Sequence, residues 1–269
     1  MPDCRSLIGE VDAAIVAVPT QAHAAVACEL LEAGIDVLVE KPISFDLASA
    51  DRMIAAAAAN GRILQVGHLE RFNPAVIALT GIARLPLFFE VHRMSLFSPR
   101  SLDIDVVLDL MIHDLDIVLS LVDADLDEIR AAGISILSPK VDIANVRLQF
   151  ANGCVANLTA SRASTETIRK LRLFQPGEYI SVDYSRQELL AIRVTETREI
   201  SFHPVEISKD EPLRTQFESF LECVRTRRKP VVDGTAARRT LEVALAVVSE
   251  IEKHAAVVEA SVEAGVRRQ

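Results

Sequence analysis

The chain has 269 residues, half of them hydrophobic and a quarter charged, which excludes a disordered polymer, since that state combines low hydrophobicity with high net charge. With 29 basic against 38 acidic residues the net charge is −9, so nucleic acid is excluded as a partner, because phosphate contacts need a basic surface. Cys4, Cys28, Cys154 and Cys223 show neither Cys-x-x-Cys nor a matching histidine spacing. That argues against a disulfide framework or zinc finger and fits buried thiols in a reducing compartment.

The N-terminus, MPDCRSLIGEVD, carries acids where a signal peptide needs an apolar core. No uncharged apolar run approaches the ~20 residues of a membrane span. The expectation is a soluble, cytoplasmic protein with no membrane partner. Ala13–Val18 reads as a short buried strand ending at Pro19-Thr20, a turn and helix cap. A helix over about 21–33 follows, closed at Gly34, then a strand at Val37–Val39 that stops at Glu40-Lys41-Pro42. Ser44 or Asp46 caps an alanine-rich helix over about 47–59, and Ile63–Gly67 is a third strand. Strand and helix alternating at this spacing predict parallel strands joined by right-handed crossovers, with helices on both faces.

After residue 86 the pattern changes. Leu87–Ser95 reads as a strand, and a long helix spans about 104–122. Between 128 and 206 period-2 segments alternate with turn residues. VDIANVRLQF, Asn152-Gly153 and CVANLTAS form a hairpin signal, and further strands are expected near 169–174, 178–183, 188–195 and 198–206. Two helices, about 213–226 and 236–255, close the chain. The predicted class is α/β plus α+β: a partial doubly wound parallel (Rossmann) sheet over 1–85, then a domain over 86–269 with a large, mainly antiparallel sheet and helices on one face.

Ligands of an open parallel sheet bind beyond the carboxyl ends of its strands. Three polar segments fall there: Pro19-Thr20-Gln21-Ala22-His23, Glu40-Lys41-Pro42 and Gly67-His68-Leu69-Glu70-Arg71-Phe72. A second cluster lies on the helix near 104–122, which is apolar nearly all round yet carries Asp105, Asp109, His113 and Asp116 at helical spacing. Ionisable groups on a buried helix cost several kcal/mol unless paired or facing a wet cleft. One reading is a structural network; another is a histidine oriented by a carboxylate for proton transfer. A third makes Asp109, His113 and Asp116 metal ligands, but no second histidine at i+4 supports it, and no metal site is expected.

VDAAIVAVPTQAHAAVACELLEAGIDVLVEKPIS, followed by a G-x-x-x-R-F-x-P segment, resembles the glucose–fructose oxidoreductase / inositol dehydrogenase / MocA family of nicotinamide-dependent sugar dehydrogenases. DLMIHDLD is similar to that family's D-x-G-x-H-x-x-D motif, with Met111 in place of the glycine. GHLERFNPAV and HRMSLFSPRSLDIDVVLDLMIHDLD most resemble its UDP-N-acetylglucosamine 3-dehydrogenase-like group. The resemblance implies hydride transfer between NAD or NADP and a secondary alcohol of a sugar or nucleotide sugar. Lys41 would sit between nicotinamide ribose and substrate, His113 would exchange the hydroxyl proton, and Asp109 would lie beside it. Pro19, Thr20, His23, Glu40, Pro42 and Arg71 would line the cofactor cleft. Arg93, Arg100 and Arg162 would join Lys41, Asp109 and His113 at the substrate, as bidentate donors for a diphosphate.

None of the ten glycines forms G-x-G-x-x-G, the turn that opens a dinucleotide domain. Residues 12–14 match the family's fourth strand, so about 60 residues, two βα units of about 30, are expected to be missing upstream, with cofactor binding and activity impaired. The alternative is a non-catalytic relative that binds sugar or assembles subunits. Homo-oligomerisation through the antiparallel sheet is expected in either case.

Overall fold

The computed structural model describes residues 4–98, 104–194 and 197–266, the last nine as backbone alone. The chain folds into two units. The first comprises residues 1–73 and 210–242, the second 74–209 and 243–269. This corrects the expected division at 85/86. The helix following Asn73 belongs to the second unit, and a C-terminal stretch returns to the first.

In the first unit, β1 (Ala13–Val16), β2 (Asp36–Glu40) and β3 (Leu64–Gly67) form a parallel sheet in the order β1-β2-β3. Val37, Leu38 and Val39 are all fully buried although successive residues face opposite sides, so helices cover both faces of β2. α1 (Thr20–Glu32) and α2 (Leu47–Ala59) pack together, α1 also against β1 and β2. Asp46 caps α2 by accepting from the Ser49 N–H at 2.6 Å. Phe220 and Cys223 of α5 (Pro212–Thr226) pack with Leu38 and Ile63. Arg227, just past α5, forks onto buried Asp36, whose carboxylate also accepts from the Ile63 N–H at 2.7 Å. This tie joins residues 191 apart in sequence. Among the described residues β1 is an edge strand, and its Ile15 is 51% exposed.

The second unit is an eight-stranded sheet in the order β11-β10-β9-β8-β4-β7-β6-β5. Its strands are β4 (Phe88–Leu96), β5 (Leu126–Ile134), β6 (Ile143–Phe150), β7 (Val155–Ser164), β8 (Ile168–Gln175), β9 (Glu178–Asp183), β10 (Glu188–Val194) and β11 (Ile200–Val205). All pairs are antiparallel except β4 with β7, which is parallel. Alternation is regular: Phe89 and Val91, Val146 and Leu148, Ala156 and Leu158, Leu171 and Leu173 are buried, and the residues between them are not. The buried face packs against α3 (Pro74–Ile82), α4 (Ile112–Leu121) and the later part of α6 (Gly234–Val266), through residues such as Leu79, Leu115 and Val247. Gly133 on β5 is required here, since a Cβ would stand 2.8 Å from Ile251 Cγ2. No described helix is long and apolar enough to cross a membrane.

The predicted strands and helices are found with ends shifted by at most three residues, except that the last helix runs to Val266. α3 was not anticipated. The helix expected over 104–122 begins as a π-helical turn, Val107–Met111, before continuing as α4.

Candidate functional site

The candidate groups fall into two sets, one in each unit. In the small unit they stand at the carboxyl ends of parallel strands. Glu40 closes β2, and Lys41 and Pro42 follow across a cis peptide bond. Glu40, Lys41 and Pro42 are half-buried, Pro19 is exposed and Thr20 half-buried at the start of α1. Glu40 is in register with Gly67 at the end of β3. The Glu40 side chain covers Gly67: a Cβ there would lie 2.8 Å from Glu40 Oε2. Arg71 sits, half-buried, in a single 3-10 turn, Leu69–Phe72, beside Glu70, which accepts from Asn73 Nδ2 at 3.2 Å.

His23 is not a cleft residue. It is 1% exposed, with Nδ1 3.0 Å from the Pro42 carbonyl and Nε2 2.9 Å from the Val18 carbonyl. Its ring therefore ties the loop after β1 to the loop after β2, which carries Lys41. This corrects the expectation that His23 lines the cofactor.

In the large unit, Asp109 lies in the π turn and His113 in the first turn of α4, both half-buried. A π turn follows i→i+5 hydrogen bonding and is characteristic of functional positions. The expected stripe is thereby redistributed. Asp105 accepts from the Val141 N–H at 3.1 Å, and Asp116 is buried. Asp114, outside the stripe, is 1% exposed and receives a two-pronged bond from Arg93, Nε to Oδ2 at 2.6 Å and Nη2 to Oδ1 at 2.9 Å. The Arg93 guanidinium also lies over the Tyr184 ring, 5.4 Å from its centre.

Arg162 is likewise interior. It donates through Nη2 to the Ile104 carbonyl and to the Val141 carbonyl at 3.3 Å, with Nε 3.7 Å from Asp142. Asp142 accepts main-chain N–H groups of Ile136, Leu137 and Ser138 and the Ser138 hydroxyl. Burial pushes its carboxyl up, but those donors outweigh burial and hold it below the usual carboxylate range. Arg93 and Arg162 are thus 3% and 5% exposed and turned onto protein acceptors. Neither presents its fork to a diphosphate in solution, which corrects the role expected for them. Arg100 lies outside the described residues. Among the described residues no group of three or more His, Cys, Asp or Glu side chains is arranged to hold a metal ion. Cys154 is buried, which pushes its thiol up to about 11.

The strand-end loops carry groups of the kind that would hold the sugar of a dinucleotide, the Thr20 hydroxyl and the Lys41 ammonium, both half-buried. The sequence holds no G-x-G-x-x-G turn, so no residue is assigned to the pyrophosphate.

Residues 1–68 match the family described as oxidoreductase family, NAD-binding Rossmann fold, and residues 92–174 match the GFO/IDH/MocA C-terminal domain. The chain is 37% identical over 257 residues to UDP-N-acetylglucosamine 3-dehydrogenase of Acidithiobacillus ferrooxidans, covering 93% of this chain and 82% of that one. It is 25% identical over 254 residues to scyllo-inositol 2-dehydrogenase (NAD(+)) of Bacillus subtilis, covering 88% and 74%. A solved structure of the Acidithiobacillus enzyme superposes with a TM-score of 0.90 over 94% of this chain and 83% of the other. An inositol dehydrogenase homologue from Azotobacter vinelandii, 16% identical, shares the fold with a TM-score of 0.79 over 94% of this chain and 80% of the other. The small parallel sheet and the large mixed sheet agree with these likenesses, and the chain belongs to the GFO/IDH/MocA family of oxidoreductases with an NAD-binding Rossmann fold.

Proposed function

We propose that this chain is an NAD(P)-dependent dehydrogenase for a secondary alcohol of a sugar or nucleotide sugar, with C3 of UDP-N-acetylglucosamine as first candidate. The observation that carries the reading is Lys41 at a strand end together with His113 four residues from Asp109, in a chain 37% identical to a UDP-N-acetylglucosamine 3-dehydrogenase. Bound NAD(P) would supply the hydride acceptor for this chemistry. The Lys41 ammonium stabilises the developing alkoxide. A ring nitrogen of His113 takes the hydroxyl proton, and the Asp109 carboxylate steadies the resulting cation. Oxidation of the alcohol would break one C–H and one O–H bond and form a C=O bond, with the hydride going to the bound cofactor and the proton to His113.

Thr20, Glu40 and Lys41, with Pro19 and Pro42 shaping the loops and Arg71 in the turn after β3, are the residues proposed to meet the cofactor. Lacking a glycine-rich pyrophosphate turn in its sequence, the chain is expected to bind NAD(P) weakly. The outer face of the large sheet carries Phe88, Phe174 and Tyr179 in edge and tilted contact, with ring centres 5.8 and 5.1 Å apart. These half-exposed rings support self-association through that face.

The test is reduction of NAD or NADP by the purified chain with UDP-N-acetylglucosamine, free N-acetylglucosamine or inositol, with a calorimetric titration of each cofactor. Turnover with the nucleotide sugar and weak cofactor binding are expected. Sugar binding without turnover at any cofactor concentration would replace this reading with a non-catalytic one, and tight cofactor binding would remove the expectation of impairment.

A further inference from the structure

We propose that Arg93 and Arg162 are positioning residues, two buried guanidinium clamps that together set where Asp109 and His113 stand. The inference rests on the dehydrogenase reading for its kinetic consequence and on geometry alone for its structural one.

The π turn and the first turn of α4 are gripped at both ends. At the leading end Arg162 holds the Ile104 carbonyl. It also holds the Val141 carbonyl, which in turn accepts from the Val106 N–H at 3.1 Å. The Val141 N–H donates back to the Asp105 carboxylate, and the Asp105 carbonyl accepts from the Asp109 N–H at 3.0 Å. Ile104, Asp105, Val106 and Asp109 are therefore all linked to one strand-end segment. Arg162 itself is seated beside Asp142, whose carboxylate is fixed by three main-chain N–H groups of the preceding loop.

At the trailing end Asp114, immediately after His113, is forked by Arg93 of β4, which sits on the same inward face as Phe89 and Val91. A two-pronged guanidinium–carboxylate contact fixes direction as well as distance, which a single ammonium cannot do. Between the clamps runs a π turn, a helical geometry rare enough to need outside support. Replacing a buried ion pair by apolar residues of similar volume is often neutral for stability. A pair that is costly to bury and dispensable for folding is well suited to specifying a geometry.

The experiment compares wild type with the paired variant Arg93→Met/Asp114→Leu and with Arg162→Met. Backbone hydrogen exchange is read by peptide, and kcat and KM are measured with UDP-N-acetylglucosamine and NAD(P). Faster exchange is expected in residues 104–116 while β6 and β7 keep wild-type protection, since local opening spares the rest of the unit. Turnover should show kcat lower by about 10–100-fold with the sugar KM within about twofold, the signature of misplaced groups rather than lost binding. Exchange that is unchanged in 104–116, or that rises uniformly across the unit, would overturn the proposal and leave the two arginines as packing. Should Arg162→Met fail to fold, the paired variant decides alone. A wild type that turns over no sugar would defeat the dehydrogenase reading, and the exchange pattern would still decide the clamps.

Discussion

The two units hold their candidate groups by opposite means. In the small unit Lys41 rides on a loop, and the tie beneath it is one buried ring: His23 spans two strand-end loops through two carbonyl contacts. In the large unit Asp109 and His113 ride on a helix, and the ties are buried guanidinium groups from two strands, Arg93 of β4 paired with Asp114 and Arg162 of β7 bonded to the Ile104 carbonyl. A loop at a parallel strand's end is already aimed by the sheet, so one side chain suffices to lock it. A helix lying on a sheet is held by interdigitated apolar side chains, which carry no directional bond of their own. Directional charged contacts supply what packing lacks.

The largest expected effect separates these two devices. Arg93→Met alone leaves the Asp114 carboxylate buried without its main cation and should cost about 3–5 kcal/mol in urea unfolding. The paired Arg93→Met/Asp114→Leu exchange should recover most of that loss. Equal destabilisation by single and paired variants would show that the contact is not chiefly a charge pair. Next, His23→Ala removes two buried hydrogen-bond contacts and part of a packed ring, for an expected cost of about 2–4 kcal/mol. A loss within about 0.5 kcal/mol would place the lock on the Lys41 loop elsewhere.

Asp142 gives the comparison a pH axis. Its carboxyl lies below the ordinary value of about 3.9 when folded. The stability it contributes is therefore full above that value and is lost as pH falls through its lower folded value. Denaturation of wild type and Asp142→Asn should differ most near neutrality, and the gap should close below about pH 4. A gap independent of pH would remove the carboxylate from the account of the loop 136–141. The smallest effect is expected at Arg238, which bridges Asp51 within the small unit from a half-exposed position. Arg238→Ala should cost no more than about 1 kcal/mol.

Much of this arrangement was legible in the sequence because the underlying signals are periodic. The three strands alternating with two helices, the Asn152-Gly153 hairpin and the long apolar helix carry such signals, and each is found in the structure. Lys41 could be placed from the rule that parallel-strand ends gather ligand-binding residues. The return of α5 to the small sheet was not legible, since Arg227 and Asp36 are 191 residues apart and nothing periodic links them. Nor was the π turn at Val107–Met111, which no periodic signal in the sequence marks. One signal was available and unread. FFEVHRMSL alternates, so Arg93 falls inward with Phe89 and Val91, and an inward arginine requires a buried acid. Asp114, on a helix apolar nearly all round, was the candidate. Arg162 follows Leu158 and Ala160 inward by the same rule.

The measurement closest to the central claim is the initial rate of nicotinamide reduction with UDP-N-acetylglucosamine, compared between wild type and His113→Ala at high cofactor concentration. A rate lower by about 10²–10⁴-fold in a variant of unchanged thermal midpoint is the expected result. Equal rates in the two proteins would contradict it and remove His113 from the chemistry.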